Sequence, residues 1–179
     1  SCTNYNPADF VSYVNGFKNY VVANKPDIIT LQLGENGSES VKADIYAKVM
    51  AQVINGIKEV APDAIIVISA PFWSAETSGK VVGTYKAAEE CGIYVAPVYT
   101  LGQGAWDGSN PNMAFNAPWV TANTSNGVKA HPGDEGMDNI AKMFFEKVNY
   151  TLSTSDKIKY TTIPESIERI VASAFFDCN

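Results

Sequence analysis

Histidine and cysteine are scarce in this chain: 179 residues contain one histidine and three cysteines. That scarcity argues against structural zinc, whose tetrahedral sites draw on paired Cys and His at short spacing. Cys2, Cys91 and Cys178 are also too few for a disulfide scaffold. Cys91 falls on the apolar face of an expected helix and reads as core. Cys2 and Cys178 lie near the two ends and either pair or stay free. Basic residues are few as well, 13 Lys and Arg against 19 Asp and Glu, for a net charge of −6. A nucleic-acid or anionic-membrane partner rewards the opposite balance, so neither is expected. No run of about 18 apolar residues exists, so no membrane-spanning helix is expected. The opening Ser1-Cys2-Thr3-Asn4-Tyr5-Asn6 has no apolar core of a signal peptide, although a removed signal stays compatible with it.

What is present is an alternation of helical and strand patterns. The length suits one domain, and 46% hydrophobic content suits an ordinary buried core. Phe10, Tyr13, Val14, Phe17 and Val21 recur at helical spacing over 7–24. The β-branched run Ile28–Leu33, closed by Gly34, has the profile of a buried strand. Residues 39–60 carry two apolar stripes, Ile45, Val49, Val53 and Ile57 beside Tyr46, Met50 and Ile54. Strands follow at 64–69 and 93–98, with a helix between them at 79–91. Helix 134–150 presents Met137, Ile140, Ala141, Phe144, Phe145 and Val148 inward. The tail, 151–179, reads as a strand near Ile158–Ile163 and an amphipathic helix from Pro164, an extension packed on the domain formed by 1–150.

Alternation of this kind builds a parallel sheet covered on both faces, with ligands at the carboxyl ends of the strands. The loops at that edge begin at Gly34, Pro71 and Leu101. They hold Asn36, Trp73, Trp106, Asp107, Trp119 and, at the end of a long unpatterned segment, His131. Unpatterned stretches of that length inside a domain tend to be functional. The opposite edge has short, featureless connections. A nucleotide or flavin is disfavoured because no strand leads into a Gly-rich phosphate loop. Leu101-Gly102-Gln103-Gly104 comes nearest and has no clear helix after it. No cofactor and no metal are expected.

Two residues suit chemistry. Asn36, at the tip of the first strand, offers a side-chain N–H to an oxyanion developing above the sheet edge. A plain turn at Asn36-Gly37 explains the same residues. His131 stands in a polar loop just before a helix, where an imidazole is exposed for proton transfer, although a lone histidine also serves structure. Each tryptophan suits stacking on a sugar face or a simple roof over the core.

Together these segments resemble a known family. Asp27-Ile28-Ile29-Thr30-Leu31-Gln32-Leu33-Gly34-Glu35-Asn36 resembles the third block of the SGNH (GDSL-like) hydrolases, a strand ending in Gly-x-Asn whose Asn donates to the oxyanion hole. Gly127-Val128-Lys129-Ala130-His131-Pro132-Gly133-Asp134-Glu135-Gly136-Met137 resembles the fifth block, whose His is the general base. The resemblance spans roughly 8–150. It implies a flavodoxin-like three-layer α/β/α fold with a parallel sheet. It also implies a serine-type esterase acting on a carbohydrate or other small acyl ester, with Gly34, Asn36 and His131 as catalytic positions. Trp73, Trp106, Trp119 and Asp107 would then face substrate, and Asp107 is also a candidate to orient His131.

The departures are specific. Val128 stands where the family often has an Asp, and Gly37 where it commonly has another. No Gly-Asp-Ser nucleophile block occurs anywhere in the chain. Ser38 and Ser40 lie near Asn36 but read as caps for the next helix, as does Asp134 for the last. The resemblance therefore implies an N-terminal segment of the same protein as partner, supplying the nucleophile and a central strand. The competing reading is a binding domain without the nucleophile. Asn36-Gly37-Ser38 is also a glycosylation sequon. A glycan there would fill the cleft, so a bacterial, secreted or periplasmic protein is expected.

Overall fold

The computed structural model describes residues 11–102, 120–121, 131–132, 134–154 and 171–172. The helices are α1 (Val11–Asn24), α2 (Ala43–Val60), α3 (Gly79–Cys91), α4 (Tyr99–Gly102) and α5 (Asp134–Thr154). The strands are β1 (Ile28–Gln32), β2 (Ile65–Ser69), β3 (Tyr94–Ala96), β4 (Val120–Thr121), β5 (His131–Pro132) and β6 (Val171–Ala172). A parallel sheet runs in the order β3-β2-β1-β6, and β4 and β5 form a separate antiparallel pair.

The β-branched runs become strands buried on both sides, and their alternating side chains feed two cores. Ile29, Leu31, Ile66, Ile68 and Val95 meet residues of α1, α2 and α3. Ile28, Ile65, Val67 and Ala96 meet Ile140, Phe144, Val148 and Leu152 of α5. The chain is thus α/β, with a parallel sheet between helices on both faces. Handedness accounts for this division. From β1 through α2, β2 and α3 to β3 the path steps one way across the sheet, so right-handed crossovers put both helices on one face. The return past β1 to β6 reverses direction, and α5 lies on the other face.

Helix ends follow their local chemistry with one exception. The Ser78 side chain accepts from Val81 N to cap α3, and Gly92 closes it at φ 63°. Ser38 and Ser40 do not cap α2. That helix starts at Ala43 behind Lys42, which makes no side-chain cap, and the two serine hydroxyls bond one another at 2.7 Å. Gly79 and Gly83, one turn apart on α3, let the chain at Val41–Ala43 approach closely. A Cβ at Gly79 would lie 1.8 Å from the Val41 carbonyl oxygen, and one at Gly83 2.6 Å from that of Ala43.

Several expected inward positions point out. Ile45 of α2, Tyr13 of α1 and Met137 and Phe145 of α5 are exposed, as is Ala141. Each lies at the margin of its stripe, and one sheet face covers only the central arc of a helix. The tail differs more. Val171–Ala172 is a strand paired with Ile29–Thr30 of β1, where an amphipathic helix is expected from the periodicity. The open ladder edge of a buried strand needs partners, and that need outweighs a local helical period. The strand expected at Ile158–Ile163 lies outside the described residues.

Candidate functional site

The carboxyl end of β1 is shaped by one glycine. Gly34 has φ 91°, and a Cβ there would fall 2.1 Å from the Tyr46 hydroxyl oxygen. Tyr46 is buried and donates to the Leu33 carbonyl at 3.1 Å. The chain then turns, with Gly37 N donating to the Gly34 carbonyl at 3.2 Å, and Asn36 is exposed on that turn. The turn is real, but its positive φ falls at Gly34 and not at Asn36 or Gly37.

Glu35 points the other way. Its carboxylate accepts from Phe72 N at 2.6 Å, from Gln32 Nε2 at 3.2 Å and from Trp73 N at 3.5 Å. The residue as a whole is half-buried, and its carboxyl end is the covered part. Burial pushes that carboxyl above its ordinary 4.5, against the opposing pull of the Phe72 N–H, the Gln32 amide, the Lys80 charge and the Trp73 N–H.

Lys80, in the first turn of α3, is fully buried. Its ammonium donates to the carbonyls of Gly34 at 3.1 Å, Gly37 at 3.2 Å and Glu35 at 3.4 Å, and it pairs with Glu39. Glu39 in turn accepts the Ser74 hydroxyl at 3.1 Å. A buried cation surrounded by carbonyls holds the loop after β1 in one shape. Phe72 is buried with its ring edge-on to half-buried Trp73, centroids 4.7 Å apart. Gly102 of α4 closes on the same place, since a Cβ there would sit 1.9 Å from the Phe72 carbonyl oxygen. Its role is close packing. Ser69, the last residue of β2, is wholly buried, and its hydroxyl has no hydrogen-bond partner among the described residues.

His131 is described through its backbone, which pairs with Thr121 in the β4–β5 ribbon. The direction of α5 places that ribbon relative to the sheet. Tyr150, near the end of α5, packs edge-on against Tyr94, the first residue of β3, at 5.0 Å. The C-terminal end of α5 therefore lies at the amino edge of the sheet. The helix from Asp134 to Tyr150, at ~1.5 Å per residue, outreaches the 5 residues of β2 at ~3.3 Å each, so α5 begins toward the carboxyl edge. The backbone of His131 leads into that start. Trp106, Asp107 and Trp119 lie outside the described residues. Among the described residues, no group of three His, Cys, Asp or Glu side chains is arranged to hold a metal, and no helix is long and apolar enough to cross a membrane.

Sequence reasoning missed Glu35 and Lys80. Glu35 sits between Gly34 and Asn36 and Lys80 in a first helical turn, and nothing in the adjacent residues marks either side chain as buried. The one available signal is that both lie within a few residues of a carboxyl-edge loop. Comparison of the chain with family profiles, curated proteins and solved structures finds no match.

Proposed function

We propose that this chain is the oxyanion-and-base portion of a serine-type ester hydrolase with a flavodoxin-like α/β/α fold of the SGNH type. The observation that carries the reading is the Asn36 turn. An exposed side-chain amide stands at the carboxyl tip of a buried parallel strand, on a loop fixed by Gly34 and Lys80. Preorganised donors of this kind stabilise the tetrahedral oxyanion without reorganising during reaction. His131, ahead of α5, serves as general base, oriented by Asp107 or a carbonyl. Trp73, with Trp106 and Trp119, forms the wall for an acylated carbohydrate or other small acyl ester. The nucleophilic serine comes from residues outside this chain. Bacterial origin and secretion go with an acylated polysaccharide as substrate.

The test is hydrolysis of p-nitrophenyl acetate and acetylated xylan by protein that includes the upstream segment. Asn36→Ala is expected to cost ~10²–10³ in rate, and His131→Ala more. Wild-type rates in both variants overturn the reading. A second reading, a carbohydrate- or ligand-binding domain without a nucleophile, draws on the lack of Gly-Asp-Ser in the chain. It predicts ligand binding with no hydrolysis by any form. Mass spectrometry of the native protein tests the cellular setting, because a glycan on Asn36 in active protein is incompatible with the assigned role.

A further inference from the structure

Polar ties join the loop after β1 to the loop after β2, and the ester chemistry above leaves them without a task. The Glu39 carboxylate receives the Ser74 hydroxyl. The Glu35 carboxylate receives the N–H groups of Phe72 and Trp73. Glu35 immediately precedes Asn36, and one of its donors belongs to Trp73 itself. A single side chain thus bridges the turn that carries the proposed oxyanion donor and the residue that forms the proposed aromatic wall.

We propose that Glu35 is a positioning residue whose carboxylate holds the Phe72–Trp73 backbone against the Asn36 turn and so sets the width of the site. Its use in catalysis rests on the ester-hydrolase reading, while the tie itself rests on the distances. The position requires a group that only accepts. Its two oxygens face two backbone N–H groups and the Gln32 amide, so a glutamine at 35 would turn its own N–H₂ toward a donor. The surroundings also make the tie sensitive to protonation. Lys80 faces Glu35 from α3, with Glu39 behind it on the same loop, and the Tyr46 hydroxyl of α2 lies against Gly34 and donates to the Leu33 carbonyl. The groups contributed by β1 and by the loop after β2 are neutral, the Gln32 amide and the Phe72 and Trp73 N–H groups. Burial pushes the carboxyl upward from 4.5, so acidification removes the charge that these donors meet.

The experiment follows the backbone amides of Phe72 and Trp73 and the side-chain carboxyl of Glu35 by NMR against pH. Wild type is compared with Glu35→Gln, and ester turnover is measured in protein carrying the upstream segment. In wild type, both amide protons are expected to titrate with the Glu35 carboxyl at one midpoint above 4.5, and the titration disappears in E35Q. Displacement of the Asn36 turn lowers kcat in E35Q roughly 10-fold, with little change in KM for p-nitrophenyl acetate, which is too small to depend on the full wall. Amides that ignore the Glu35 titration overturn the proposal, and so does wild-type kcat in E35Q when Asn36→Ala is impaired. If Asn36→Ala and His131→Ala both hydrolyse esters like wild type, the hydrolase reading falls, and the amide titration still decides whether the tie exists.

Discussion

Lys80 carries its charge with no solvent exposure, among carbonyls of Gly34, Glu35 and Gly37 and the carboxylate of Glu39. Replacing the lysine leaves three partly covered carbonyls without their donor and the exposed Glu39 carboxylate without its partner, and a covered carbonyl left unmet costs more than its hydrogen bond contributes. Lys80→Met is therefore expected to lower unfolding free energy by about 2–3 kcal/mol, read from urea denaturation. Glu35 gives a pH-dependent counterpart. Its folded-state value lies above its ordinary 4.5, so its contribution to stability is fully present below that value and is lost as pH rises through the folded one. Glu35→Gln does not titrate. Its stability relative to wild type is expected to stay level below about pH 4.5 and to grow in its favour above it. A difference that shrinks with rising pH in denaturation series from pH 4 to 8 would contradict this sign.

At the scale of elements, α2 and α3 owe their close approach to Gly79 and Gly83, and α5 owes its place to one stripe of side chains. Ile140, Phe144, Val148 and Leu152 are its buried residues in the second core. Phe144 is the largest of them, and α5 supplies the buried helical residues of that core, with Leu101 of α4 packed against it. Phe144→Ala is expected to cost about 3–5 kcal/mol, seen as a lower urea midpoint with an unchanged slope. The exposed Met137 and Phe145 on the same helix provide the contrast, since truncating either should move the midpoint little.

At the scale of the whole molecule, the parallel pairing of β6 with β1 joins two distant parts of the chain. Cutting the chain after Thr154 removes β6 and opens the ladder edge of a strand buried at Ile28, Ile29, Thr30 and Leu31. The shortened protein is expected to melt lower and to associate with rising concentration, as unpaired edges do; sedimentation velocity at several concentrations checks it. The buried strands, the central residues of the helical stripes and the first two carboxyl-edge loops are legible in the residues, because strand and helix periods are written locally by side-chain polarity. Gly34 and Asn36 could be placed at the tip of β1 for the same reason. The partners of Glu35 and Lys80 could not be placed. A carboxylate 37 positions from the amide it accepts has no local signature, and a lysine becomes a buried clamp only when three carbonyls close around it. The strand at Val171–Ala172 was hidden in the same way, its conformation imposed by the open edge of β1. The alternation of elements and the edge where loops gather follow from composition over short spans, so the residues alone are enough to set them. Which charges are buried and which segment pairs beyond β1 depend instead on groups far apart in the chain meeting where water is excluded.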